Sequence, residues 1–197
     1  MSEREIIVVS GLPRSGTSVM MQMLEAGGLG IVSDGERAAD VDNPKGYYEW
    51  EAIKQIAKHP ELLDAEGLDG RAIKCISMLL PKLPLKHNYK VIFMTRPIAE
   101  VVLSQQKMVA RLGTKGAELD VPQLERGLTA HRNETRRWLA TAPHIELLEV
   151  DYPTLVRDAG SVVAQVVEFL GAERLPTAGK MAAVVDQSLY RRKQTAA

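Results

Sequence analysis

The reading of this chain turns on VVSGLPRSGTSVMMQML, from Val8 to Leu24. A β-branched run ends at Gly11, a short loop carries Pro13, Arg14 and Gly16, and a helical pattern begins at Thr17. Glycine at positions 11 and 16 lets the backbone turn tightly and approach an anion without a side-chain clash. The amides from Ser15 to Ser18 open the helix and lack intrahelical partners, so they and the helix dipole favour an oxyanion at that point. Ser15, Thr17 and Ser18 add hydroxyl donors. A nucleoside triphosphatase loop would carry lysine where Thr17 stands, and here the cation is Arg14, on the loop itself. A forked guanidinium can hold two oxygens at once, including a bridging oxygen that gains charge as its bond breaks. The pattern suits a group transfer in which the protein, rather than a metal, neutralises the leaving group.

Outward from this stretch, strands and helices alternate. Strand patterns run over residues 5–10, 71–80, 89–96 and 144–152. Helical patterns run over 17–28, 48–58, 98–113, 121–142 and 161–171, with a last short helix expected over 177–186. In the long helix at 121–142, Leu124, Leu128 and Trp138 are expected to face inward. Alternation of this kind predicts an α/β fold with a mainly parallel sheet, and ligands in such sheets bind beyond the carboxyl ends of the strands. That rule selects residues 11–18, Ser77, Arg96 and Asp151–Tyr152 as contributors to one site. The polar segments within 31–70 and 110–122 read as lids or acceptor-side segments of a single domain spanning 1–197.

Bulk properties narrow the function. Of 197 residues, 45% are hydrophobic, enough for a buried core without staples. Lys+Arg and Asp+Glu balance at 25 each, so no global field recruits nucleic acid or a membrane surface. Phosphate binding must come from a local site. The single Cys75 excludes an internal disulfide and a cysteine-only zinc site. The apolar run near the start is too short for a signal-peptide core, so a cytoplasmic protein is expected.

A second constellation lies in VIFMTRPIAEVVLSQ. Arg96 ends a strand, Pro97 opens a helix, and Ser104 follows Pro97 by seven residues, close to two turns, so both face the same way. Together they can grip a second phosphate. The hexapeptide PRSGTS at 13–18 resembles the 5′-phosphosulfate loop of sulfotransferases that use 3′-phosphoadenylyl sulfate (PAPS), and Arg96 with Ser104 resembles the 3′-phosphate motif of that family. Arg-Pro stands here where the family often has Arg-Asp/Asn-Pro. Weaker likenesses are DNPKGYYEWEAI at 42–53, the Tyr152 turn, where Pro153 replaces a glutamate, and the basic tail VVDQSLYRRK.

The resemblance implies a three-layer P-loop-like fold that moves a sulfonate from PAPS to a hydroxyl or amine and releases adenosine 3′,5′-bisphosphate (PAP), with no metal. It implies nucleotide contacts from Pro13, Arg14, Ser15, Gly16, Thr17, Ser18, Arg96 and Ser104, from Tyr152 as a stacking ring, and from Arg191 or Arg192. The base is the main departure. In the cytosolic branch a histidine follows the second strand as Lys-Thr-His; here Lys74 is kept but Ile76 fills the histidine position. His59, His87, His131 and His144 read as lying away from the site. Glu49 and Glu36 are the acidic candidates for general base, with Arg14 and Lys74 as the cations at the transferring group. The acceptor is expected to be a small molecule or glycan, and a second subunit could supply a missing wall as a homodimer. Two alternatives stand beside this reading: a P-loop kinase or triphosphatase, in which Asp151 would hold magnesium, and a nucleotide-binding module without catalysis.

Overall fold

A computed structural model describes residues 4–35, 46–112 and 120–186. Four parallel strands form one sheet in the order β2-β1-β3-β4: β1 Glu5–Gly11, β2 Ala72–Lys74, β3 Asn88–Thr95 and β4 Ile145–Asp151. The helices are α1 Thr17–Ala26, α2 Ile98–Leu112, α3 Val121–Leu139, α4 Tyr152–Arg157 and α5 Ala159–Leu170. This is the expected α/β architecture with a parallel sheet between helical layers.

Residues alternate between the two faces of each strand, so a sheet covered on both sides needs continuously apolar strands. β1 meets that demand. Ile7 and Val9 face a core built with Met20, Met21, Met23 and Leu24 of α1 and with Leu155, Val162 and Val166 of α4 and α5. Ile6 and Val8 face the opposite core, where Ile53, Ile56, Leu63, Leu80 and Leu139 pack with Val91 and Phe93. Each such side chain contributes roughly 1.5–3 kcal/mol on full burial. Cys75 lies in the second core, where burial pushes its thiol up to about 12 and makes it unreactive.

Helix ends follow local chemistry. Gly28 at φ 95° closes α1, with Leu29 N–H donating to Leu24 C=O (3.0 Å) and Gly28 N–H to Glu25 C=O (2.9 Å). Gly171 at φ 93° stops α5, and Asp158 caps its start by accepting from Ser161 N–H at 3.0 Å.

Four expectations need correction. The helix expected over 48–58 is instead a short 3₁₀ segment, Glu51–Gln55, that ends in a turn; a second 3₁₀ segment, Pro60–Asp64, follows beyond it. The strand expected over 71–80 pairs only at Ala72–Lys74, with Cys75 N–H adding a last bond to Val9 C=O at 3.0 Å. β1 ends soon after that point, and the chain turns into a 3₁₀ segment, Ser77–Lys82, that contains Pro81. The last helix is a pair of 3₁₀ turns, Ala178–Lys180 and Ala182–Val184. On α3 the buried side chains are Thr135 and Leu139, while Leu124, Leu128 and Trp138 are only half-buried. Among the described residues no helix is long and apolar enough to cross a membrane.

His144, just before β4, sits edge-on between Tyr89 (5.7 Å between ring centres) and Trp138 (6.3 Å). Both its ring nitrogens are shielded from water with no hydrogen-bond partner in the structure, and burial lowers its pKa. A lowered folded pKa means the unfolded chain binds the proton more readily. Stability contributed by neutral His144 is therefore complete above the ordinary imidazole value and is lost as pH falls through it toward the lower folded value. The melting temperature should drop between pH 7.5 and pH 5, and His144→Phe, which keeps the ring contacts but cannot charge, should melt above the unaltered protein at the acid end of a thermal-denaturation series.

Candidate active site

The carboxyl ends of β1, β2 and β3 deliver the site. Gly11 ends β1 opposite Met94, Lys74 ends β2, and Thr95 hands on to Arg96. The loop from Leu12 to Gly16 then climbs into α1. Gly16 holds a left-handed conformation at φ 102°, and a Cβ there would lie 2.3 Å from Cδ2 of Tyr152. Gly11 has no more room: a Cβ would fall 2.6 Å from the Met94 carbonyl oxygen. Arg14 itself adopts φ 69°, a conformation that costs a non-glycine residue roughly 1–3 kcal/mol. The first backbone bond of α1 runs from Met20 N–H to Gly16 C=O at 3.2 Å, so the amides before it line the open helix end. Ser15 is 1% exposed, and its Oγ is buried with no hydrogen-bond partner in the structure. A buried hydroxyl in a glycine-lined loop at a helix N-terminus fits an incoming oxyanion.

The two sequence constellations meet. Arg14 Nε donates to Ser104 Oγ on α2 at 3.0 Å, and Arg96 Nη1 donates to the Arg14 carbonyl at 3.1 Å. The Arg96 Nε donates to Glu100 Oε2 at 3.1 Å, an i,i+4 pair whose side chains are 13% and 20% exposed. The Arg96 guanidinium stands over the Tyr152 ring, 4.8 Å from its centre. Tyr152 is 7% exposed, with Gly16 against its edge and Arg96 over its face, and burial raises its pKa. The ring thus packs against both the loop and Arg96.

Lys74 reaches the same helix end. Its Nζ donates to Ser18 Oγ (3.0 Å) and to the Tyr47 carbonyl (2.8 Å), and lies 3.8 Å from Glu49 Oε1. Glu49 Oε2 is 3.9 Å from Lys54. The segment carrying Glu49 is tied down on both sides. Asp34 N–H and Ser33 Oγ donate to the Glu49 carbonyl at 3.2 and 3.0 Å. Tyr48, at φ 54°, donates its hydroxyl to Glu25 of α1 at 2.6 Å, and burial with this carboxylate raises its pKa to about 12. Pro13 is exposed at the crest of the loop, and Thr17 is half-buried at the start of α1. Glu36, Arg191 and Arg192 lie outside the described residues.

Two residues change meaning in three dimensions. His131, set aside in the sequence, is brought to Ser77: Ser77 Oγ and His131 Nε2 are 2.9 Å apart. The signal available in the sequence is Ser77, which the strand-end rule selects. Asp151, the magnesium ligand of the triphosphatase alternative, instead caps α4, its Oδ2 accepting from Thr154 N–H (2.9 Å) and Oγ1 (2.8 Å). Among the described residues no three His, Cys, Asp or Glu side chains cluster in a way that could hold a metal ion.

Comparison with known proteins agrees with this geometry. A sulfotransferase domain model matches residues 4–195. Among solved structures, the sulfotransferase domain of the curacin biosynthetic pathway superposes with a TM-score of 0.57 at 15% identity, covering 95% of this chain and 90% of that one. A retinol dehydratase solved with androsterone and the inactive cofactor PAP gives 0.56 at 16% identity, over 96% and 67% of the two chains. The sulfotransferase domain of the Synechococcus PCC 7002 olefin synthase gives 0.50 at 15%, over 100% and 89%. Identities this low speak for the fold alone. No curated protein sequence matches the chain. A family model that spans nearly every residue places this chain in the sulfotransferase domain family.

Proposed function

We propose that the chain moves a sulfonate group from PAPS to a hydroxyl or amine of a small-molecule or glycan acceptor. The observation that carries the reading is the junction of the two anion-binding constellations through Arg14 and Ser104, 3.0 Å apart, although 90 residues separate them in sequence. A nucleotide with phosphates at both ends of its ribose is the ligand that such a pair of adjoining subsites would hold. The solved neighbour with bound PAP supports the same class of nucleotide.

PAPS supplies a sulfonate already activated on a phosphate oxygen. The residues here bind and orient it. The open amides of α1 and the buried Ser15 hydroxyl hold the 5′-phosphate, and Arg96 with Ser104 holds the 3′-phosphate. Arg14 spans the two subsites and neutralises the bridging oxygen as charge builds on it. Lys74, oriented by Ser18 and the Tyr47 carbonyl, steadies the sulfonate. Glu49 stands within ion-pair range of Lys74, at 3.8 Å, and aims it.

Charge-assisted hydrogen bonds of this type contribute roughly 1.5–3 kcal/mol each. Arg96→Ala should weaken PAP binding by about ten- to a hundredfold in calorimetric titration; unchanged affinity would remove Arg96 from the nucleotide site. PAP should raise the melting temperature more than ATP with magnesium does in a thermal-shift comparison, and the reverse order would return the triphosphatase reading. Gly16→Ala should both lower stability, by about 1–3 kcal/mol, and abolish PAP binding, since the added methyl meets the Tyr152 ring.

A further inference from the structure

Transfer to a hydroxyl requires a group that takes the acceptor's proton, and the identity of that group is a question that rests on the sulfotransferase reading. Ile76, in the position where the family's cytosolic branch carries histidine, cannot move a proton. The next residue, Ser77, is 1% exposed and hydrogen-bonded to His131 Nε2 at 2.9 Å. His131 belongs to α3, which packs against the 3₁₀ segment beginning at Ser77 and against α2, the helix of Ser104. Lys74, which touches Ser18, precedes Ser77 by three residues, a span of at most about 10 Å. An imidazole from a distant part of the chain is thus held at Ser77, directly after Ile76, on a helix that also packs against the helix of Ser104. The chain around it is open and apolar: Ile76 is 41% exposed and Met78 66%. Large apolar side chains left in water beside a reaction centre are what the body of an acceptor would cover.

The hydrogen bonds around the ring engage one of its two nitrogens. Thr135 Oγ1 donates to the His131 carbonyl at 2.9 Å and stands 3.5 Å from His131 Nε2. A hydroxyl has one hydrogen, and that of Thr135 is already committed, so toward the ring it can only accept. Nε2 is thus engaged with Ser77, and in the tautomer that donates from Nε2 to the Ser77 oxygen the lone pair lies on Nδ1.

We propose that His131 is the proton acceptor of the transfer and that Ser77 is its positioning residue. The acceptor oxygen forms the new bond to sulfur as the bond from sulfur to the bridging phosphate oxygen breaks. The electron pair of the broken bond stays on that phosphate oxygen, and the acceptor's proton passes to His131 Nδ1, giving an imidazolium that later releases it to water. Glu49 serves Lys74 in this scheme.

The test uses the full chain with radiolabelled PAPS and a defined set of acceptors (2-naphthol, 1-octanol and N-acetylglucosamine), with rates taken on the fastest. His131→Asn should lower kcat by about a hundredfold or more, with affinity for PAP unchanged. Added imidazole should restore part of the rate to His131→Ala, a response that a structural role would not give. Ser77→Ala should lower kcat by about tenfold and leave KM for PAPS unchanged. His59→Asn, on the surface, should behave as the unaltered chain. A folded His131→Asn that keeps its kcat overturns the assignment, as does a loss of rate that tracks loss of PAP affinity and resists imidazole. If the asparagine variant does not fold, His131→Gln and the imidazole-treated alanine variant make the same comparison. Transfer by the unaltered chain to none of the acceptors overturns the sulfotransferase reading itself, and this assignment with it.

Discussion

The site depends on crowding at one point of the sheet. β1 and β3 pair in parallel with Gly11 beside Met94, and there the backbone of β1 must leave the sheet. Nothing larger than hydrogen fits at Gly11, where a Cβ would fall 2.6 Å from the Met94 carbonyl, or at Gly16, where it would fall 2.3 Å from the Tyr152 ring. Because both contacts admit only backbone, the loop is pressed flat against the end of β3. Its Arg14 carbonyl is thereby within reach of Arg96, and its Arg14 side chain within reach of Ser104. A phosphate loop is commonly described by the anion it will hold; here its shape is set by the absence of side chains on the opposite side.

The cations of the site are held before any ligand arrives. Arg96 is clamped between Glu100, the Arg14 carbonyl and the Tyr152 ring, and Lys74 between Ser18, the Tyr47 carbonyl and Glu49. Taking a charge partly out of water costs several kcal/mol unless hydrogen bonds replace the lost hydration. These partners replace it and also fix rotamers, so less side-chain entropy remains to be lost when an anion binds. The carboxylates Glu49 and Glu100 keep the local field from becoming purely positive, which lets three cationic side chains stand near one another in a chain whose formal charge is zero.

Legibility in the sequence tracks the range of the interactions. β1, β3 and β4, the phosphate loop and the turn at Arg96 are readable because short local patterns specify them: β-branched runs, glycines at a turn, a proline after a strand. Asn88–Thr95 and Ile145–Asp151 pair over their whole length, close to their expected spans. Residues 48–83 are not readable in this way, because their backbone is set by neighbours. β2 stops pairing at Lys74, two residues before β1 ends, and the rest lies in 3₁₀ turns containing Pro60 and Pro81 that carry no helical or strand period. Tyr152 is visible as a strand-end ring, but only packing shows Gly16 at its edge and Arg96 over its face.

The sequence by itself determined the fold class, the glycine-bounded loop before α1 and the strand-to-helix turn at Arg96, because each rests on short local patterns. The tertiary structure decided what these parts do together. It joined Arg14 to Ser104 across 90 residues and carried His131 to Ser77 across 54. No local pattern encodes such meetings. The second arises from the packing of α3 against the segment after β2, a packing driven by burial of apolar surface that lies in neither motif.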